Sequence, residues 1–494
     1  MKYDFTTILD RKGHDALAVD QVGAPGSPYP APKEGFDVIP MWVADMNFPL
    51  APPIKQAILD RMEHPTFGYF RAPEAYYDAI IHWQQTRNGV EGLKPENIGY
   101  ENGVLGGVSS ALRALCVPGD RILLHSPTYI GFTHTLEDNG YRIVHSPLRP
   151  DIQGVWRMDF ADMEEKIRKN QIHTAIFCSP HNPCGRVWEQ GEIAQAMELF
   201  RKYDVTVISD EIWSDILRPG LKHIPTQSIS RDAKMRTVAL YAPSKTFNLA
   251  GLVGSYHIIY NPTLLDKCGR AAELSGYNNL NVLSVHALIG AYSAEGGQWA
   301  DELRQVIAGN VDFAVDYIRN HFNGVSLFRP EGTYMLFIDC ANWLAAHGMT
   351  LDELLKMGWD VGVVWHTAFT RDRINMSREF FRIDPIQAIV LLELMKIEDV
   401  TEQATADQPE AKRNPRFDFD KMGIPVGAEL VFVRNNNIKA TVGENNKVKY
   451  NDKILSLSAL TQKLTGYIVR PVQYWTYDDR NLLNIYNATY PSKG

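Results

Sequence analysis

Four short stretches carry residue types that could work together chemically. Lys245 lies in Ser244-Lys245-Thr246-Phe247-Asn248, just past the apolar run Thr237-Val238-Ala239-Leu240-Tyr241. Asp210-Glu211 follows the run Val205 to Ser209, and Asn182 lies in Ser179-Pro180-His181-Asn182-Pro183-Cys184-Gly185 after Thr174 to Cys178. Tyr129 follows Arg121 to His125 by way of Ser126-Pro127-Thr128. A lysine carried by a buried strand into a turn of small residues is placed to lose its proton. Desolvation and a nearby cation both disfavour the ammonium, and the neutral amine is a nucleophile toward carbonyls. Each neighbour also has an ordinary reading: Asp210-Glu211 as a helix N-cap, Asn182-Pro183 as a plain turn. All of them falling at successive strand ends is what favours a shared site.

The elements that must position these residues are legible from periodicity. Apolar runs at 121–125, 174–178, 205–209, 237–241 and 255–260 alternate with longer amphipathic stretches, such as Glu189 to Tyr203 with Ile193, Met197 and Leu199-Phe200 on one side. Short apolar strands spaced by helices predict an α/β fold with a mainly parallel sheet between helices. In such sheets ligands gather outside the carboxyl ends of the strands. Upstream, Glu101-Asn102-Gly103-Val104-Leu105-Gly106-Gly107 precedes a helix reaching about Leu115. Free backbone N–H groups at Val104 and Leu105 would make an anion site there. Ile54, Ile58 and Met62 mark a helix from Pro52. Residues 1–50 are rich in proline and glycine and read as an extended arm that must lie on something, a second subunit being one candidate.

With 494 residues the chain calls for two or three domains. A hydrophobic content of 45% with 22% charged residues is that of a soluble globular protein. The formal charge of -8 argues against general affinity for nucleic acid or anionic membrane. No apolar run reaches the length of a membrane span, and acidic Asp4 falls where a signal peptide would be apolar. The five cysteines form no close ligand cluster, so they read as buried thiols in a reducing cytoplasm, with no metal called for.

An amine, a carboxylate, an amide, an aromatic ring and an anion nest on one sheet edge match the needs of pyridoxal 5'-phosphate. Lys245 would meet the aldehyde, Asp210 the pyridine nitrogen, Asn182 the phenolic oxygen and Tyr129 the ring face. The backbone at Val104 and Leu105, with the Ser244 hydroxyl, would take the phosphate. The motifs around Asn182, Asp210 and Lys245 resemble those of fold-type I pyridoxal phosphate enzymes in the class I/II aminotransferase superfamily. Met41-Trp42-Val43-Ala44-Asp45-Met46, Phe67-Gly68-Tyr69 and Gly332-Thr333-Tyr334 narrow the resemblance to MalY/PatB-type cystathionine β-lyases, or C–S lyases. The position eight residues past the lysine is Val253, where many aminotransferases of the superfamily carry a phosphate-binding arginine.

The resemblance implies β-elimination from cystathionine in a cytoplasmic homodimer with shared active sites, with Tyr69 reaching the neighbouring subunit's phosphate. It implies Arg373 as the ligand of the substrate carboxylate, with Arg371 as the alternative. An aminotransferase, or a cofactor-binding regulator with little turnover, is the alternative function. The implied domains are an arm at 1–50 that forms part of the small domain, a large domain at 51–290 and the α+β remainder of the small domain at 291–398. A polar linker at 399–416 then leads to a small α+β module at 417–494. That mildly basic module resembles tail domains of restriction-associated proteins, with contact to nucleic acid as a minor alternative to a plain appendage.

Overall fold

The computed structural model describes residues 1–7, 9–275, 278–360, 363–367, 380–383, 417–433, 438–451, 453–465, 471–478 and 480–490. The chain divides into two units, Met1–Val400 and Thr401–Gly494. Both Arg371 and Arg373 lie outside the described residues, as does the expected linker 399–416.

The first unit is built on a seven-stranded sheet: β1 (Ile98–Asn102), β2 (Arg121–Ser126), β3 (Arg142–Pro147), β4 (Thr174–Cys178), β5 (Thr206–Asp210), β6 (Thr237–Tyr241) and β7 (Gly254–Ile258). Their order is β1-β7-β6-β5-β4-β2-β3. The five strands from β6 to β3 are parallel, and β7 runs antiparallel to both its neighbours. Every residue of β4 and β6 is buried, which is why they read as continuous apolar runs. The edge strands β1 and β3 are half-exposed and mixed in polarity, so they carry no such signal. Packed cores cover the sheet, one gathering Val108, Leu112, Phe132 and Leu240, another Phe177, Trp188, Ile193 and Phe200.

The predicted helices form at Pro52–Met62, Val104–Leu115 and Gln190–Lys202. The Val104 helix begins earlier than the glycines suggest, so Gly106 and Gly107 lie in its first turn. A Cβ on Gly107 would come within 2.6 Å of Leu240 Cδ2, so this glycine serves close packing of helix on β6.

A second sheet of five strands joins Ile39–Met41, Val363–Thr367, Phe380–Ile383, Leu336–Asp339 and Ser326–Leu327, in that order. The first pair is parallel and the others antiparallel. The arm therefore lies at least partly on its own chain, since Ile39–Met41 pairs with Val363, Val364 and Trp365. Among the described residues no helix is long and apolar enough to cross a membrane. All five cysteines are buried and none forms a disulfide.

The second unit carries a six-stranded sheet in which Glu429–Phe432 pairs antiparallel with Lys439–Val442. Leu430, Phe432, Ala440, Val442 and Val448 point to one face and pack with Leu457, Leu460 and Trp475 in a core of their own.

Candidate active site

A cavity of about 400 Å³ opens at the carboxyl ends of the parallel strands. Val104, Leu105, Tyr129, Asn182, Asp210, Ser244 and Lys245 all line it. Seven of the eight predicted cofactor-site residues thus meet in one place. The eighth, Tyr69, is fully exposed and is not part of the cavity wall.

Lys245 sits in the turn after β6, which is closed by Phe247 N–H to Pro243 O at 2.9 Å and Leu249 N–H to Ser244 O at 2.9 Å. Asn248 takes a left-handed conformation at φ 56°, one asparagine tolerates well, and donates to Met46 O at 2.8 Å. Thr246 donates to buried Asp215 at 3.0 Å, and Trp83 Nε1 donates to the same carboxylate at 3.0 Å. The lysine is therefore held from both flanks. Its Nζ donates to Ala44 O at 3.3 Å and lies 5.7 Å from the centroid of the Trp213 ring.

Asp210 ends β5. Burial pushes its carboxyl from the ordinary 3.8 up to about 7, with Glu211 adding to the rise and the Ile212 N–H and Lys245 opposing it. The Ile212 N–H donates to Oδ1 at 3.0 Å. Glu211 starts no helix and turns away from the cavity. It accepts from Ser209 at 2.8 Å, from Tyr241 at 2.5 Å and from the Thr226 N–H at 3.1 Å, and it pairs with His223 at 2.6 Å. Burial alone would raise its carboxyl, but His223, Tyr241 and Ser209 together hold it below the ordinary value. Adjacent acids thus have separate jobs: Glu211 ties down the strand end, and Asp210 faces the cavity.

Asn182 is carried by the loop after β4. Gly185 closes that loop at φ 69°, and a Cβ there would meet Pro330 Cβ at 2.4 Å. The Gly185 carbonyl accepts from the N–H groups of Glu331 and Gly332 at 2.8 and 2.9 Å. Arg186, fully buried, bonds to Glu331, to Glu192 at 2.5 Å and to Trp156 O at 2.9 Å. The Asn182 side chain is buried, and its Oδ1 has no hydrogen-bond partner.

The helix Val104–Leu115 points its amino end at the cavity from Gly103, which sits at φ 73° and makes no side-chain cap. Its first N–H groups and the positive end of its dipole therefore favour an anion. Tyr129 packs closely beside this end because residue 131 is glycine: a Cβ there would come within 2.4 Å of the Tyr129 ring and 2.9 Å of Leu105. Val253 lines the same wall in the left-handed region at φ 59°.

Several wall residues were not singled out as site residues from the sequence. Tyr29, Trp42, Val43 and Ala44 come from the arm, and Trp213 from the turn after β5. The tilted rings of Tyr29 and Trp42 are 4.5 Å apart. Their signal was an aromatic pair within a proline-rich stretch that has no core of its own.

Residues 37–386 match the family model of class I and II aminotransferases. The chain is 36% identical over 322 residues to cystathionine beta-lyase PatB of Bacillus subtilis, covering 65% of this chain and 82% of that protein. It is 30% identical over 340 residues to protein MalY of Escherichia coli, covering 68% and 84%. The pyridoxal phosphate-bound C-S lyase of Staphylococcus hominis superposes with a TM-score of 0.71 at 28% identity, over 82% of this chain and all of that one. Cystalysin from Treponema denticola, whose crystal contains pyridoxal 5'-phosphate, gives 0.73 at 26% identity with the same coverage. Sheet order, the lysine turn after β6 and the carboxylate ending β5 agree with these likenesses in one conclusion: the chain belongs to the class I and II aminotransferase family and has its fold-type I architecture.

Proposed function

We propose that this protein is a pyridoxal 5'-phosphate-dependent carbon–sulfur β-lyase acting on L-amino acids with a thioether at Cβ, of the cystathionine type. The observation that carries the reading is the convergence of Lys245, Asp210, Asn182, Tyr129 and an uncapped helix end on one cavity. The names of the relatives, cystathionine beta-lyase and C-S lyase, support the choice of reaction over amino-group transfer.

The residues fit the cofactor. Asp210 is a buried carboxyl that a fixed cation would stabilise, and Asn182 lines the same cavity with an amide whose Nδ2 can donate to an oxyanion. When bound, pyridoxal phosphate supplies an electron-poor ring that draws charge from the substrate Cα. Asp210 would keep a proton on the pyridine nitrogen, and Asn182 would donate to the phenolic oxygen. Tyr129 would cover the ring face. The N–H groups of Val104 and Leu105 and the Ser244 hydroxyl would take the phosphate. Lys245 would hold the cofactor, and its amine would take the substrate Cα proton as general base. Loss of that proton lets the Cβ–S bond break, and the thiolate leaves and takes up a proton. One water then hydrolyses the remaining three-carbon enamine to pyruvate and ammonia. Arg373 takes the substrate carboxylate in a bidentate pair. Tyr69, fully exposed on its own chain, reaches the phosphate of a second copy, making a cytoplasmic homodimer with shared sites.

Lys245→Ala is expected to remove both the visible absorbance of the bound cofactor and the release of pyruvate from cystathionine. Retention of both by the variant would sink the assignment.

A further inference from the structure

The amino ends of the strands, on the sheet edge away from the cavity, hold a second set of reactive side chains. Cys116 is the C-cap of the helix Val104–Leu115, Asp120 immediately precedes β2, and His173 immediately precedes β4. Because β2 and β4 are neighbours paired at Ile122 and Thr174, their amino ends stand side by side. The Cys116 sulfur, a carboxylate oxygen of Asp120 and a ring nitrogen of His173 all lie within 4.8 Å of one another. Among the described residues this is the one group of three such donors.

His173 Nε2 and Asp120 Oδ2 stand 3.4 Å apart. Ligands around a tetrahedral zinc ion, with bonds of about 2.0–2.3 Å, stand about 3.3–3.8 Å apart. The pair already meets that spacing, and only small side-chain shifts bring in the sulfur. The surroundings also suit a metal. His173 Nδ1 is 3.1 Å from Thr174 Oγ1, and that oxygen is 3.3 Å from Cys116 Sγ. The Thr174 hydroxyl can accept from His173 Nδ1–H and donate to a Cys116 thiolate. That relay leaves the Nε2 lone pair facing Asp120, the arrangement that metal-binding histidines use. The Val117 N–H, donating to Asp120 Oδ2 at 2.8 Å, fixes the carboxylate. The carboxyl end of a 12-residue helix adds a negative potential that favours a cation.

We infer that Cys116, Asp120 and His173 bind a divalent transition-metal ion, and the mixed sulfur, nitrogen and oxygen donors select zinc. The fourth position opens to water beside His173, whose side chain is 48% exposed. The ion ties the end of the helix whose other end faces the cavity to the starts of two central strands. Cysteine spacing could not reveal this site, because it draws one cysteine and completes the set with residues up to 57 positions away.

Zinc chloride titrated into chelator-dialysed, full-length protein and followed by calorimetry is expected to fill one site per chain. Cys116→Ser and His173→Ala should each weaken binding by at least about 100-fold, and Asp120→Asn by about 10-fold. The parent's thermal midpoint should rise with zinc while that of His173→Ala, altered at an exposed side chain, stays unmoved. The inference is overturned if the parent shows no saturable binding. It is equally overturned if Cys116→Ser and His173→Ala both bind zinc as the parent does.

Discussion

Replacing Asp210 with asparagine separates stability from function at one residue. Burial raises the Asp210 carboxyl from 3.8 to about 7 in the folded, cofactor-free chain. The folded state therefore holds this proton more tightly than the unfolded state, and the stability it contributes is fully present below about pH 4. That contribution is lost as the pH rises toward 7. A shift of roughly three pKa units at 1.36 kcal/mol each gives a cost of about 4 kcal/mol once the group is ionised. By pH 5 about 1–2 kcal/mol of it has already appeared, leaving about 2–3 kcal/mol between pH 5 and pH 8. Asp210→Asn does not titrate. In urea melts of cofactor-free protein, the variant should gain on the parent by that 2–3 kcal/mol between the two pH values. The change with pH is the quantity to read, because an asparagine in this site also alters packing and hydrogen bonding equally at both. Saturating pyridoxal phosphate should close the gap in the parent, since the ring cation offsets the cost of a buried carboxylate. Catalysis should fall in the variant even where its stability rises. A difference between parent and variant that does not change with pH would refute the desolvation argument.

Arg186 anchors the Asn182 loop through Glu331, Glu192 and Trp156 O, so Arg186→Met should leave two carboxylates without their cation and cost about 3 kcal/mol in a urea melt. Val253 is a β-branched residue at φ 59° with a half-exposed side chain, so Val253→Gly should relieve strain and stabilise the protein by about 1 kcal/mol. No gain in denaturation midpoint would count against that strain. A chain ending at residue 400 keeps every residue lining the cavity, so its pyruvate release should stay within about twofold of the full-length protein.

The parallel strands were legible because burial on both faces makes them unbroken apolar runs, and their ends led directly to Asn182, Asp210 and Lys245. β1 and β3 were missed because edge strands keep polar residues on their open sides. The antiparallel direction of β7 was equally hidden, since an apolar run has no polarity of its own. The aromatic wall from Tyr29 and Trp42 depends on a long-range pairing, Ile39–Met41 with Val363–Thr367, that no local pattern encodes. Glycines misled once and informed once: Gly107 marks helix-on-strand packing rather than a loop, whereas Gly103 does open the anion end of the cavity.

The central claim, that Lys245 abstracts the Cα proton so that a Cβ–S bond breaks, is tested most directly by the products. Purified protein with pyridoxal phosphate and cystathionine should release pyruvate, ammonia and homocysteine in equal amounts, with no keto acid required. Amino-group exchange that depends on an added keto acid, without pyruvate release, would contradict it.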